Sequence, residues 1–153
     1  MRDRLQTTDR MQHWNIAINT TCVLCNEELE SVCHLFFGCW FSGQIWRKLI
    51  EGLMQDDFIT DWNVLKVLQS NPRLNPTKTF IFRYALQATM HTVWTERNAR
   101  RHGEQPKDIG CLVRFVDKTM RLRLLLVKGM GQQYLDEALI TWFGIQESNG
   151  EAG

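Results

Sequence analysis

The sequence of 153 residues predicts a mainly α fold, in which a short cysteine-rich segment is followed by a small multi-helix bundle. Three observations support this prediction. From residue 40 onward, apolar residues recur at intervals of three and four, which is the spacing of one face of an α-helix. The start signal Asn75–Pro76 is followed by no helix breaker before Gly103. Almost no segment alternates between apolar and polar residues, so a β-sheet is not expected.

The predicted helices are separated by polar or glycine-containing breaks. Residues 15–39 lack helical periodicity over most of their length and are expected to form a loop. The longest helix opens at Pro76, and Gly103 follows its arginine-rich last turn where a left-handed cap is favoured. This helix has about 27 residues and a length of roughly 40 Å. The other helices are predicted over residues 9–14 with Thr8 as the cap, from 40 to a break near 52–57, and over 62–70, 106–128 and 132–143.

Composition and length indicate one ordinary globular domain. Hydrophobic residues make up 44% of the chain and charged residues 23%, which argues against disorder as the main state. The apolar runs are far shorter than the about 20 residues that a membrane span needs. The N-terminal residues contain no apolar stretch typical of a secretion signal. We therefore expect an intracellular protein of the nucleus or cytoplasm that is not secreted and does not bind a membrane.

The net charge of +1 conceals an uneven distribution of charges. Residues 22–62 contain seven acidic and two basic side chains, which gives −5. Residues 83–128 contain ten basic and four acidic side chains, which gives +6. Such asymmetry is found where a surface faces a polyanion, and it also arises where two parts of one chain attract each other. The sequence leaves both interpretations open.

Four residues in the cysteine-rich segment have the spacing of a metal site. Cys22, Cys25, His34 and Cys39 form the pattern C-x2-C-x8-H-x4-C. A C-x2-C pair presents two sulfurs from one tight turn, and a following His and Cys complete a tetrahedron. Three thiolates and one imidazole are a regular ligand set for structural zinc, and four protein ligands leave no open position for water. The pattern predicts one structural Zn²⁺ in a zinc-knuckle segment.

Other interpretations of these residues stay open at this stage. The cysteines would be buried thiols if no metal were bound. A redox C-x-x-C would need a strand before it and a helix directly after it, and Asn26 with the two glutamates that follow does not favour that context. Cys33 could compete with His34 as the third ligand, but adjacent side chains point in different directions. We prefer His34 and expect Cys33 to pack as a small apolar residue.

Residues 7–50 resemble a known domain family. They are similar to the zinc-binding domain that lies C-terminal to the polymerase in plant LINE-type (non-LTR) retrotransposon reverse transcriptases. The resemblance rests on Thr8-Asp9-Arg10-Met11, Trp14-Asn15, Cys22, Cys25, Glu30, His34-Leu35-Phe36-Phe37, Cys39, Phe41-Ser42 and Ile45-Trp46. Residues 94–100, with the pattern W-x-E-R-N-x-R, resemble a helix that often follows this domain. The resemblance implies a C-terminal fragment of such an element, with zinc on the four residues named above.

Catalytic residues of a polymerase are not apparent. Polymerase chemistry needs carboxylates that hold two Mg²⁺ ions, usually in a Y-x-D-D sequence on a strand hairpin. The nearest match, Tyr134 to Glu137, ends in glutamate and lies in a stretch of helical periodicity. An RNase H domain would need strands and an acidic cluster, which the sequence does not predict. We expect no enzymatic activity and no small-molecule substrate.

Basic residues on two predicted helices are candidates for phosphate contacts. They either bind RNA or DNA weakly or form a solvated surface that also compensates a helix dipole. The six tryptophans could stack on bases but fall mostly on apolar stripes, which favours the core. The six candidate nucleic-acid-binding residues are Arg97, Arg100, Arg101, Arg114, Lys118 and Arg121.

The predicted organisation has four parts. Residues 1–54 form the zinc-binding module, 55–75 a connector with a short helix, 76–145 a helical tail and 146–153 a disordered end. The first function hypothesis is a non-catalytic accessory module whose partners are RNA, DNA or another element-encoded protein. The alternative is a zinc-stabilised structural or protein-interaction domain, and a third is an element relic without a selected function.

Overall fold

The computed structural model describes residues 5–11 and 18–151, and these residues are mainly helical. The helices are α1 (Thr8–Met11), α2 (Trp40–Met54), α3 (Trp62–Ser70), α4 (Pro76–Arg101), α5 (Ile109–Val127) and α6 (Gln133–Glu151). A tight turn, His34–Gly38, precedes α2, and a 3-10 turn, Gln55–Asp57, follows it. Within the described ranges, the extended pairing is a single isolated bridge between Thr21 and Leu29. The predicted mainly α fold, with a knuckle before a helical bundle, is confirmed.

The long helices α2, α4, α5 and α6 all pack against one another and enclose one core. Trp46 of α2 and Trp142 of α6 are completely buried in this core. Trp46 also stacks on Phe37 from the turn before α2, with ring centroids 4.9 Å apart, and meets the edge of Phe82 from α4. The aromatic side chains thus join the cysteine-rich segment to the bundle.

The start of α4 agrees with the sequence prediction. The side chain of Asn75 accepts a hydrogen bond from the backbone N–H of Lys78, and Pro76 occupies the first turn. The last turn contains Arg100 and Arg101, and Gly103 has the positive φ of 81° that favours glycine after a helix. Within this helix the apolar face is buried against the other three long helices.

Other helix ends differ from the prediction. Helix α5 begins at Ile109 rather than at Pro106, because the side chain of Asp108 accepts a hydrogen bond from the N–H of Cys111 and caps the helix there. Helix α1 begins at Thr8, which was predicted as its cap. The predicted continuation of α1 to Trp14 lies outside the described residues.

The C-terminal segment also differs, because α6 continues to Glu151 instead of ending near 143. The side chain of Gln146 donates to the carbonyl of Leu49, and that of Asn149 donates to the carbonyl of Lys48. These two hydrogen bonds fasten the end of α6 to α2. The prediction that residues 146–153 are disordered is therefore wrong for residues 146–151. The domain boundaries at 54 and 75 remain a prediction, although α2 packs directly on α4, α5 and α6.

Candidate metal centre

Four side chains converge on one point between the knuckle, which is residues 20–39, and the start of α2. They are those of Cys22, Cys25, His34 and Cys39. Their three sulfurs and one ring nitrogen all lie within 4.8 Å of one another. The Nε2 atom of His34 is 3.4 Å from the sulfur of Cys25, so this nitrogen faces the cluster. The three cysteines are buried, and the side chain of His34 is 9% exposed. Cys33 is exposed and lies outside the cluster.

A hairpin-like loop brings Cys22 and Cys25 together. The backbone N–H of Cys22 donates to the carbonyl of Glu28, and the N–H of Glu30 donates to the carbonyl of Thr20, which closes the base of the loop. At its tip, the N–H of Asn26 donates to the carbonyl of Cys22, and Asn26 has a left-handed φ of 57°. Asparagine tolerates this conformation better than most residues. The turn therefore holds both sulfurs on the same side.

A second compact turn supplies His34 and Cys39. The N–H of Cys39 donates to the carbonyl of His34 at 2.6 Å. The N–H of Phe37, which has a positive φ of 79°, donates to the hydroxyl of Ser42. Gly38 is required by a close approach, since a Cβ at this position would lie 2.7 Å from the carbonyl oxygen of Cys33. The sharp turn places both ligands beside the first residues of α2.

The thiols of Cys22 and Cys39 are electrostatically linked. A hydrogen bond from the Cys39 side chain lowers the pKa of Cys22 to about 5, and backbone N–H groups of Cys25 and Leu24 add to this effect against the cost of burial. The same hydrogen bond and burial raise the pKa of Cys39, because a second thiolate beside the first is unfavourable. Two adjacent buried sulfurs in this state are suited to a cation, which would stabilise both as thiolates.

The geometry of the cluster agrees with that of a zinc site. In tetrahedral zinc sites the sulfurs lie about 2.3 Å and the imidazole nitrogen about 2.0–2.1 Å from the metal. These lengths separate the ligand atoms by about 3.6–3.8 Å. The observed separations, all within 4.8 Å, are compatible with one zinc ion held by Cys22, Cys25, His34 and Cys39. The Nδ1 atom of His34 lies 3.4 Å from the carboxylate of Glu28, which can orient the ring.

Helix α4 holds the knuckle through Glu30, whose carboxylate is completely buried. Arg97 donates to both of its oxygens, from Nε at 3.0 Å and from Nη2 at 2.6 Å. The backbone N–H of Thr8 donates to the same carboxylate at 2.9 Å. Burial opposes ionisation of Glu30, but these hydrogen bonds together with the charges of Arg97 and Arg101 keep its pKa below the ordinary value. A charged residue of the knuckle is thus paired with a charged residue of α4.

A second arginine of α4 contacts the knuckle backbone directly. The Nη1 atom of Arg100 donates to the carbonyls of Val23 and Leu24, the two residues between the first pair of cysteines. Glu96 accepts a hydrogen bond from Arg100 Nε at 2.9 Å and another from the backbone N–H of Lys107 at 2.8 Å. The guanidinium of Arg100 also lies over the ring of Phe41. The segment 94–101 therefore forms a polar clamp on the knuckle.

Most of the predicted phosphate-contacting residues are engaged within the protein. Arg97 and Arg100 bind the knuckle, and Arg101 donates to the carbonyl of Asn19 and lies 3.7 Å from Glu30. Arg121 pairs with Asp117 and covers the ring of Phe143. The guanidinium groups of Arg97 and Arg100 have the internal partners that burial of a charge requires, and their binding of nucleic acid stays a prediction. Arg114 and Lys118 are exposed.

Comparison with known proteins identifies one similarity. A family model described as zinc-binding in reverse transcriptase matches residues 1–46. The matched segment contains all four residues of the cluster and Glu30. No curated protein and no solved structure matches the chain. The similarity and the geometry together support a zinc-binding module in the front part of the chain.

The roles of Glu30 and Glu96 were not predicted from the sequence. Both are acidic residues inside patterns that the sequence displays, since Glu30 lies between the two ligand pairs and Glu96 lies in W-x-E-R-N-x-R. Neither was assigned an individual role from the sequence, whereas each carboxylate is almost fully buried. The useful signal was the position of opposite charges in two separate motifs.

Among the described residues, no helix is long and apolar enough to cross a membrane.

Proposed function

We propose that this chain is a non-catalytic accessory module of a reverse-transcriptase protein, in which zinc has a structural role. The observation that carries the proposal is the convergence of three cysteines and one histidine within 4.8 Å. Four protein ligands fill the coordination sphere of zinc and leave no position for a reacting water. A bound zinc would hold the knuckle, residues 20–39, against the start of α2 and against α4.

The proposal extends to the type of element. The match to a zinc-binding family over residues 1–46 supports an origin next to a reverse transcriptase. The W-x-E-R-N-x-R segment of α4 resembles the helix that follows this domain in plant LINE-type elements, and its Arg97 and Arg100 bind the knuckle. We therefore place the chain at the C-terminal side of such a protein.

Native mass spectrometry of the whole chain tests the structural role. We expect a mass increment of one zinc per chain. Cobalt in place of zinc should give the visible absorption of a tetrahedral site with thiolate ligands, unchanged by added azide because no coordination position is open. A spectrum that azide alters would reveal an open position and would overturn the non-catalytic assignment.

A second candidate function is weak binding of RNA or DNA without sequence preference. The observation that favours it is the exposure of Arg114 and Lys118 one helical turn apart on α5, within the stretch of charge +6. Residues 22–62, at −5, would repel phosphate at long range. Affinity should therefore depend on α5 and fall steeply with salt.

A further inference from the structure

Helix α5 carries a second apolar stripe that the described residues leave uncovered. Phe115, Thr119, Leu122 and Leu126 follow one another at intervals of four, three and four residues, which is the seam of a coiled coil. Phe115 is 56% exposed, Leu122 55% and Leu126 74%. The core-facing side of α5, with Val116 and Met120 among its residues, is buried in the bundle. One helix thus presents two apolar faces, of which the core uses one.

The exposed stripe borders a groove between α4 and α5. The groove has a volume of about 500 Å³ and is lined on α4 by Tyr84, Ala88 and His91 and on α5 by Phe115 and Thr119. A groove between the side-chain ridges of two packed helices has the shape into which a third helix packs. We call this surface, Tyr84 to His91 together with Phe115 to Leu126, the α4/α5 groove.

The charges beside the α4/α5 groove have one sign. Arg123 lies over the ring of Tyr84 at 5.5 Å, while Arg114 and Lys118 are exposed one position before Phe115 and Thr119. Residues 83–95 contain no acidic side chain, and the one acidic side chain of 109–128 is Asp117. Asp117 faces the other way, since it pairs with Arg121 and accepts a hydrogen bond from the indole of Trp142. The margins of the groove are therefore cationic.

We propose that the α4/α5 groove binds an acidic amphipathic helix of a partner protein. Apolar residues at heptad spacing on that helix would pack against Phe115, Leu122 and Leu126, and its flanking carboxylates would meet the cationic margins. A nucleic acid would contact the cationic margins through its phosphates, but it would leave Leu122 and Leu126 exposed to water. A second copy of the chain would bring like charges together. The proposal depends on the helical bundle and is independent of the role of zinc.

Binding of a designed peptide to the zinc-loaded full chain tests the proposal. The labelled probe is a three-heptad peptide with leucine at positions a and d and glutamate at e and g, whose like charges prevent it from pairing with itself. We expect saturable binding at low salt that weakens as salt is added. The substitution Leu122→Glu should weaken binding about tenfold or more, because it removes an apolar anchor and adds a repelling charge.

A matched control makes the same change elsewhere. Ile140 on α6 is 75% exposed and lies outside the groove, so Ile140→Glu should bind the peptide like the natural chain. Zinc content and circular dichroism, measured on the same samples, show that both variants are folded. Absence of peptide binding by the natural chain, with its zinc content intact, would refute this proposal and leave the structural zinc site unaffected.

Four results would overturn the proposal. The first is the absence of saturable binding at low salt, and the second is equal binding of a peptide with glutamine in place of glutamate. The third is displacement of the peptide by oligouridine that itself binds in a Leu122-dependent manner, which would make nucleic acid the occupant. The fourth is a concentration-dependent dimer in sedimentation that Leu122→Glu disperses, which would make a second copy the occupant.

Discussion

Glu30 and Arg97, which are 67 residues apart in the chain, form a two-point ion pair that is closed to solvent. Glu30 belongs to the knuckle and Arg97 to the penultimate turn of α4. Asn98 accepts a further hydrogen bond from Arg97, and the ring of Trp94 lies beneath the guanidinium. Both arginines of the Trp94–Arg100 motif therefore attach α4 to the metal-binding segment, and Glu96 accepts a hydrogen bond from Arg100.

Removal of one partner of this pair should destabilise the protein strongly. In Arg97→Gln the buried carboxylate of Glu30 would lose its main partner, and we expect a loss of about 3–5 kcal/mol in the free energy of unfolding. Arg47→Gln is the control, because Arg47 pairs with Glu51 at a half-exposed site on α2. That change should cost about 1 kcal/mol or less. Urea denaturation of the zinc-loaded proteins measures both, and equal losses would contradict the role of burial.

Arg100 should affect zinc affinity without being a ligand. Its hydrogen bonds to the carbonyls of Val23 and Leu24 hold the turn that presents Cys22 and Cys25. We expect Arg100→Gln to lower the affinity for zinc by about 10–100-fold, the usual effect of losing groups that orient ligands. Competition with a chromophoric chelator gives the affinity. Arg114→Gln, an exposed change on α5, should leave it unaltered, and a matching decrease there would point to a general charge effect instead.

Cys25 and Cys33 should respond differently to replacement. Cys25→Ser removes a ligand and should abolish the one-zinc increment, since structural zinc contributes on the order of 10 kcal/mol to small modules. Hydrogen exchange should then become fast in the knuckle while α4, α5 and α6 retain protection. Cys33→Ser should keep the zinc, because Cys33 is exposed and lies outside the cluster. Zinc retention in a His34→Ala, Cys39→Ala double variant would refute the ligand assignment.

Acid should weaken the link between the knuckle and α4. The pKa of Glu30 is lowered in the folded chain, so its contribution to stability is complete above the ordinary glutamate value of 4.5 and is lost as pH falls through the lowered value. The difference in unfolding free energy between the natural chain and Glu30→Gln should therefore be constant at neutral pH and decrease in the acid range. Denaturation with excess zinc at several pH values measures it. A difference that grows towards low pH would have the wrong sign.

Nucleic-acid binding, if it occurs, should depend on α5 and not on the end of α4. Replacement of Arg114 and Lys118 by glutamine should reduce the slope of log affinity against log salt by about two units, one for each phosphate contact. Arg83→Gln together with Arg47→Gln removes two exposed charges elsewhere and serves as the control. An unchanged slope in the α5 variant would exclude this helix as the contact surface.

Local signals in the sequence were sufficient to predict the long helices, though not all of their ends, and the four residues that converge at the candidate metal site. Asn75–Pro76 defines a helix start through a hydrogen bond within three residues, and the spacing of Cys22, Cys25, His34 and Cys39 is itself the property that a zinc site requires. Such features depend on neighbours in the chain. They can be predicted because the physical cause lies within the segment where the pattern is found.

The functions of the charged residues depended on distant partners. A cluster such as Arg97, Arg100 and Arg101 has the same appearance whether it faces phosphate or a buried carboxylate, and only packing places Glu30 against it. The end of α6 illustrates the same limit. Its last residues have no strong helical pattern, and their hydrogen bonds to the carbonyls of Lys48 and Leu49 arise from tertiary contact.

The distance along the chain between the knuckle and its clamp has a consequence for synthesis. The ribosome makes Glu30 before Arg97, and 67 further residues must be added before the pair can form. At a rate of about 5–20 residues per second, this interval is roughly 3–13 s. During that time the thiols of the knuckle lack the contacts that α4 makes with this segment in the folded chain. Early binding of zinc to the nascent chain would therefore protect the sulfurs until Arg97 and Arg100 have been synthesised.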